Sequence, residues 1–143
     1  MINSEPEEKM STGDNMEEKV MQLMRRGVIT CSEETNLQEV AQIMVANSIS
    51  YCVVTNPDNE VKGTISTRSF LKGFMMDPEK TKARDILLPY TFTITPGSSL
   101  KEAVGLMSKK KIEHLIVVSD RPGSEAILGL LHAEDLIAKM VKD

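Results

Sequence analysis

Two long stretches of this chain are versions of one another, and that constrains its fold more than any other feature. Leu37-Gln38-Glu39-Val40-Ala41-Gln42-Ile43-Met44 lies over Leu100-Lys101-Glu102-Ala103-Val104-Gly105-Leu106-Met107 at an offset of 63 positions. The same offset carries Lys19 onto Lys82, Thr30 onto Thr93, Ile49 onto Ile112, and Val53-Val54 onto Ile116-Val117. Beyond the next turn Gly63 matches Gly129, an offset of 66, so the second copy has three extra residues there. They fall where Asp120-Arg121-Pro122-Gly123-Ser124 replaces Asn56-Pro57-Asp58-Asn59, a turn, which is where insertions are tolerated.

Each copy reads in the same order. A short helix opens it, over about 18–26 and 83–88, and a brief extended piece follows at 29–31 and 92–95. Next comes an amphipathic helix with apolar residues at i, i+3, i+4 and i+7: Leu37, Val40, Ala41 and Met44, then Leu100, Ala103, Val104 and Met107. Thr35 with Gln38, and Ser99 with Glu102, have capping-box spacing. Hairpins over 50–55 with 61–66, and 113–119 with 126–131, each feed a closing helix, 67–74 and 133–141. The class is α/β (α+β-like), with two βαββα repeats.

One copy has too little core to stand alone, since a single hairpin is marginal in water. The linker near 76–81 is short and holds Asp77-Pro78, so the copies must be neighbours. The expectation is a disordered acidic tail over 1–15, repeat 1 over 16–76 and repeat 2 over 77–143, packed sheet to sheet with pseudo-twofold symmetry.

Composition removes several functions. Lys and Arg number 17 against 21 Asp and Glu, a formal charge of −4, so a basic nucleic-acid face is not expected. Lys109-Lys110-Lys111 reads as a solvated helix end, where cations complement the dipole. Tyr51, Tyr90, Phe70, Phe74 and Phe92 are too few for a stacking platform. Cys31 and Cys52 lack CxxC spacing and sit in apolar stretches, as small buried hydrophobes do. The start of the chain is polar and acidic with no apolar signal region, and no long hydrophobic segment follows; a soluble, cytoplasmic protein with no membrane association is expected. Met16, Met21, Met24, Met75, Met76 and Met140 cluster near the outer helices, as core filling or as an adaptable interface.

Chemistry concentrates at one place in each copy: Gly63-Thr64-Ile65-Ser66-Thr67-Arg68-Ser69 and Gly129-Leu130-Leu131-His132-Ala133-Glu134-Asp135. A strand ends and a helix begins there. Free backbone N–H groups in the first turn suit a phosphate, and a carboxylate one turn on can accept both hydroxyls of a ribose. The same spacing is also that of a capping box, which needs no ligand, and Ser66 with Ser69 reads as such a plain helix start on spacing alone.

The repeated order and these two segments resemble paired cystathionine-β-synthase (CBS) domains, over roughly Lys19 to Met140. The resemblance implies a Bateman module with two clefts between the repeats, which in many members bind adenine nucleotides or related adenosyl ligands. It also implies dimerisation into a flat disk. The family pattern is Gly, two apolar residues, Ser or Thr, two variable residues, then Asp, and both copies depart from it. Ser66 keeps the hydroxyl but Ser69 replaces the acid; Asp135 keeps the acid but His132 replaces the hydroxyl. An imidazole still hydrogen-bonds a phosphate, so the cleft around Asp135, His132 and Leu131 is preferred.

The resemblance adds further ligand contacts. His114 aligns with Tyr51, where family members often place a basic phosphate contact, and a half-exposed strand-edge histidine is the plainer alternative. Arg68 is placed to reach a phosphate, or is a solvated first-turn residue. Val28 to Thr30 and Thr91 to Thr93 are where the family's backbone edges an adenine.

The expected function is a regulatory, ligand-sensing module that signals to a protein partner in trans. AMP, ADP, ATP, NADH or S-adenosylmethionine are the candidate regulatory ligands; no cofactor is required, and a homodimer is expected. The alternative is a ligand-free dimerisation or scaffold module. An enzyme is not expected, because the sequence holds no HExxH, Walker loop or dinucleotide glycine fingerprint and no nucleophile–histidine arrangement that the repeat would assemble. No catalytic and no metal residue is assigned.

Overall fold

Parallel strands can be joined only by a crossover long enough to carry the chain back, and both amphipathic stretches provide one. The computed structural model describes residues 17–89, 91–124 and 126–141; the tail expected over 1–15 lies outside the described residues. The first copy gives β1 (Thr30–Ser32), α1 (Leu37–Ala46), β2 (Tyr51–Thr55), β3 (Val61–Ser66) and α2 (Thr67–Gly73), and α3 (Ala83–Ile86) opens the second. The series continues as β4 (Thr93–Ile94), α4 (Leu100–Lys110), β5 (His114–Val118), β6 (Ile127–His132) and α5 (Ala133–Ala138).

Both sheets have the same topology. β1 pairs parallel with β2, placing Cys31 opposite Val54, and β2 pairs antiparallel with β3. β4 pairs parallel with β5, placing Thr93 opposite Ile116, and β5 pairs antiparallel with β6. The register slips at Val54/Thr55 and at Val117/Val118, equivalent positions at the offset of 63. The repeat therefore extends to the bulge that ends each hairpin.

The helix starts follow the expected chemistry with one correction. Ser99 and Glu102 form the reciprocal box that caps α4: the Glu102 N–H donates to Ser99 Oγ at 3.1 Å and the Ser99 N–H to Glu102 Oε1 at 3.0 Å. For α1 the cap is Asn36, whose Oδ1 accepts from the Glu39 N–H at 2.9 Å. Thr35 Oγ1 accepts instead from the Ser32 N–H in the preceding turn.

The chain divides into two compact units whose make-up differs from that of the sequence repeats. Among the described residues, a continuous unit spans Val28–Thr91, and a split unit joins those up to Gly27 to those from Phe92 onward. The opening segment of each repeat thus completes the unit built by the other repeat's sheet. In the split unit the Val20 N–H donates to the Ser98 carbonyl and the Leu100 N–H to the Glu18 carbonyl, each at 2.8 Å. In the continuous unit the equivalent bonds run from the Ala83 N–H to Thr35 at 2.7 Å and from the Leu37 N–H to Thr81 at 2.9 Å.

These segments bring apolar side chains with them. Ala83 and Ile86 enter the core of Leu37, Val40, Met44, Cys52, Val54 and Ile65. Val20 and Met24 enter that of Leu100, Ala103, Met107, Leu115, Val117 and Leu131. The helix expected over 18–26 is only a 3-10 turn, Val20–Gln22, because Arg25 leaves it to form a two-way backbone bridge with Leu130. Leu88 bridges Thr64 in the same way. Among the described residues, no helix is long and apolar enough to cross a membrane.

Candidate functional site

The split unit gathers titratable groups where β5 begins and β6 ends. His114 and His132 are cross-strand partners, and their rings meet edge to face with centroids 4.7 Å apart. Burial, with the neighbouring His132, pulls the His114 pKa down to about 4. Burial, with the nearby Arg25, lowers that of His132 as well. Both imidazoles are therefore neutral at pH 7.

α5 starts directly from His132, which places Glu134 and Asp135 in its first turn. Arg25 arrives from the other end of the sequence. Its Nε donates to Asp135 Oδ2 at 2.9 Å, and its Nη2 donates to Asp135 Oδ1 at 3.0 Å and Glu134 Oε1 at 2.8 Å. This is the bidentate geometry in which Arg recognises carboxylates. The guanidinium pKa is raised, chiefly by its hydrogen bonds to Asp135. The Arg25 backbone is fixed by its bridge to Leu130, with N–H to carbonyl distances of 2.8 and 2.9 Å. Its side chain is 49% exposed, against 23% for Asp135.

The equivalent end of the continuous unit has different chemistry. Tyr51 faces Ser66 across the β2–β3 ladder, and burial raises the Tyr51 pKa. The Ser66 N–H donates to Ser69 Oγ at 3.1 Å, and Ser69 is buried, so its hydroxyl acts as a cap. Arg68 is exposed in the first turn of α2. Leu88 occupies the position equivalent to Arg25, and Arg68 and Ser69 those equivalent to Glu134 and Asp135.

Of the residues singled out in the sequence, the structure brings His114, His132 and Asp135 into one cluster, and Tyr51, Ser66 and Ser69 into another. Leu131 points into the core, which leaves a ligand only its backbone. Thr30 and Thr93 lie on β1 and β4, Val28 precedes β1, and Thr91 is the last residue of the continuous unit. Cys31 and Cys52 are free and buried, and the Cys52 thiol donates to the Ile29 carbonyl at 3.8 Å. Among the described residues, no group of three His, Cys, Asp or Glu could hold a metal.

Sequence reasoning missed Arg25 and Glu134. One signal was present: the copy that keeps its acids is matched by a cation at position 25, whereas the copy without them has an apolar residue at 88.

Comparison with known proteins places this geometry in context. The family model of the CBS domain matches twice, over residues 20–75 and 83–142. Uncharacterized protein MJ0450 of Methanocaldococcus jannaschii is 27% identical over 123 residues, 82% of this chain and 63% of that protein. Uncharacterized protein MK0525 of Methanopyrus kandleri is 29% identical over 121 residues, 82% of this chain and 60% of that protein. The chain thus spans less than two thirds of the length of either relative.

Two solved structures share the fold. The CBS domain pair of protein MJ0100, in complex with 5′-methylthioadenosine and S-adenosyl-L-methionine, superposes with a TM-score of 0.75 at 19% identity, covering 85% of this chain and 94% of that one. The CBS domain of the bacterial CNNM/CorC family Mg2+ transporter, in complex with ATP, gives 0.80 at 17% identity, covering 94% of each chain.

Proposed function

Because the chain belongs to the CBS domain family and carries the domain twice, we propose that it is a regulatory module that binds an adenine nucleotide or adenosyl ligand and signals to a partner protein in trans. CBS domain pairs are regulatory modules, generally without catalysis of their own. The observation that carries the reading is Asp135, a carboxylate in the first turn after β6 beside His132, whose ring meets that of His114, where a ribose diol and a phosphate could both be met. The pairs solved with 5′-methylthioadenosine, S-adenosyl-L-methionine or ATP lend it support.

A ligand that binds only the folded chain raises its melting temperature by mass action. A thermal-shift panel of AMP, ADP, ATP, NADH and S-adenosylmethionine at millimolar concentration is expected to give a rise with at least one compound. A flat panel would instead support a ligand-free dimerisation or scaffold module. That second reading rests on a specific observation: both Asp135 oxygens already accept from Arg25, and the Ser69 hydroxyl already serves Ser66.

We further propose a homodimer. Leu71, Phe74 and Met75 are exposed on the continuous unit beside a groove between α1 and α2, and Ile137 and Met140 on the split unit beside one between α4 and α5. Of the outer methionines, Met24 is core, whereas Met21, Met75, Met76 and Met140 are exposed; Met16 lies outside the described residues.

A further inference from the structure

Arg25 and Asp135 occupy each other in the structure, and that restricts which ligand the site can accept; the inference rests on the reading that an adenosine-type ligand binds there. A ribose diol that reaches Asp135 must take the two carboxylate oxygens that now accept from Arg25 Nε and Nη2. The guanidinium then loses its bidentate partner and keeps one bond, to Glu134 Oε1. Its backbone stays pinned to Leu130 while its half-exposed side chain is free to turn, so it remains within reach of the same site.

What the ligand carries decides whether this exchange is favourable. A phosphate offers a guanidinium the same fork of oxygens that a carboxylate does. A nucleoside monophosphate therefore replaces both halves of the ion pair, its diol on Asp135 and its phosphate on Arg25. A neutral nucleoside replaces only one half and leaves Arg25 without its bidentate partner. S-adenosylmethionine puts a positive sulfonium at the 5′ carbon, where a nucleotide has its phosphate ester, and carries its one carboxylate further out on a flexible arm that must be ordered to reach Arg25. In the unliganded site the two histidines are neutral at pH 7, so Arg25 is the cation already in place beside Asp135. The repeat provides an internal comparison: the end with Ser69 instead of an acid has Leu88 where Arg25 would be and Arg68 where Glu134 would be, so neither partner of the Arg25–Asp135 pair is kept at its position.

We propose that Arg25 is the specificity-determining residue of this site, holding Asp135 when the site is empty and the ligand's phosphate when the ribose takes Asp135, and that the site accordingly selects nucleotides over nucleosides and adenosyl sulfonium compounds.

Isothermal titration of the full chain with AMP, adenosine and S-adenosylmethionine at low salt tests this. The expected result is at least tenfold tighter binding of AMP than of the other two. Arg25→Gln should abolish that preference while adenosine binds no more weakly than before, since Asp135 is then unoccupied. Arg25→Lys, which keeps the charge without the fork, should retain part of the preference. Adenosine or S-adenosylmethionine binding as tightly as AMP would overturn the inference and leave the proposed function standing, as would an Arg25→Gln chain that still prefers AMP. If none of the three binds at millimolar concentration, the inference falls, and the proposed function falls with it only if ADP, ATP and NADH also leave the melting temperature unchanged. The ligand comparison on the unaltered chain decides the matter even if a variant does not fold.

Discussion

A side chain on Gly129 would begin 2.5 Å from the backbone carbonyl oxygen of Arg25, closer than any Cβ can sit, because the bridging segment crosses that position of β6. Gly63 stands in the same relation to Leu88, also at 2.5 Å. The glycine that opens each motif is therefore needed so that the partner segment can pair with the strand, and that pairing places Arg25 over Asp135. Gly129→Ala and Gly63→Ala are each expected to destabilise by about 1–3 kcal/mol, as overpacking does. Gly105, exposed in α4 with open space around it, should behave oppositely, with Ala stabilising by about 0.5–1 kcal/mol. Urea unfolding midpoints measure all three; a neutral Gly129→Ala would contradict the crossing.

Ile86 belongs by sequence to the second repeat, yet it is fully buried in the core built by the first repeat's sheet. Ile86→Ala is expected to cost about 2–5 kcal/mol. Hydrogen exchange locates the loss: protection should fall in Tyr51–Thr55 and Val61–Ser66 before it falls in His114–Val118. Loss confined to the second hairpin would contradict the exchange of opening segments.

His114 gives the fold a directional response to pH. Its folded pKa is about 4, below the unfolded value near 6.5, so between these limits the unfolded chain binds more protons. Stability from this group is complete above about pH 6.5 and is lost as the pH falls toward 4. Arg25, Glu134 and His132 all face this group, so the informative quantity is the difference between the unaltered chain and His114→Gln, which cancels their common titration. The variant should show a shallower decline in melting temperature from pH 6.5 to 4; parallel curves would contradict the assignment.

The elements were legible in the sequence because their periods are local. Leu37, Val40 and Met44 recur at helical spacing, and the repeat carries that pattern and its strands into the second copy, at an offset of 63 up to the hairpin turn and 66 beyond it. The α1 cap was placed one residue early because Thr35 and Asn36 both carry a side-chain oxygen able to cap, and only the backbone path decides between them. The central contact of the site was not legible. Arg25 and Asp135 are 110 positions apart, in different sequence repeats, and they meet because the opening segments cross between units, which no local period records. Ser69 fits both a ligand contact and a capping box in the sequence, and in the structure its hydroxyl accepts from the Ser66 N–H.

Calorimetric titration of AMP into the unaltered chain and into Asp135→Ala and Ser69→Ala tests whether one dominant adenosine-type site lies at Asp135. Saturable binding to the unaltered chain is expected, with none to Asp135→Ala and a nearly unchanged affinity in Ser69→Ala, whose hydroxyl serves the fold. Equal losses in the two variants, or binding that survives Asp135→Ala, would contradict a dominant site there.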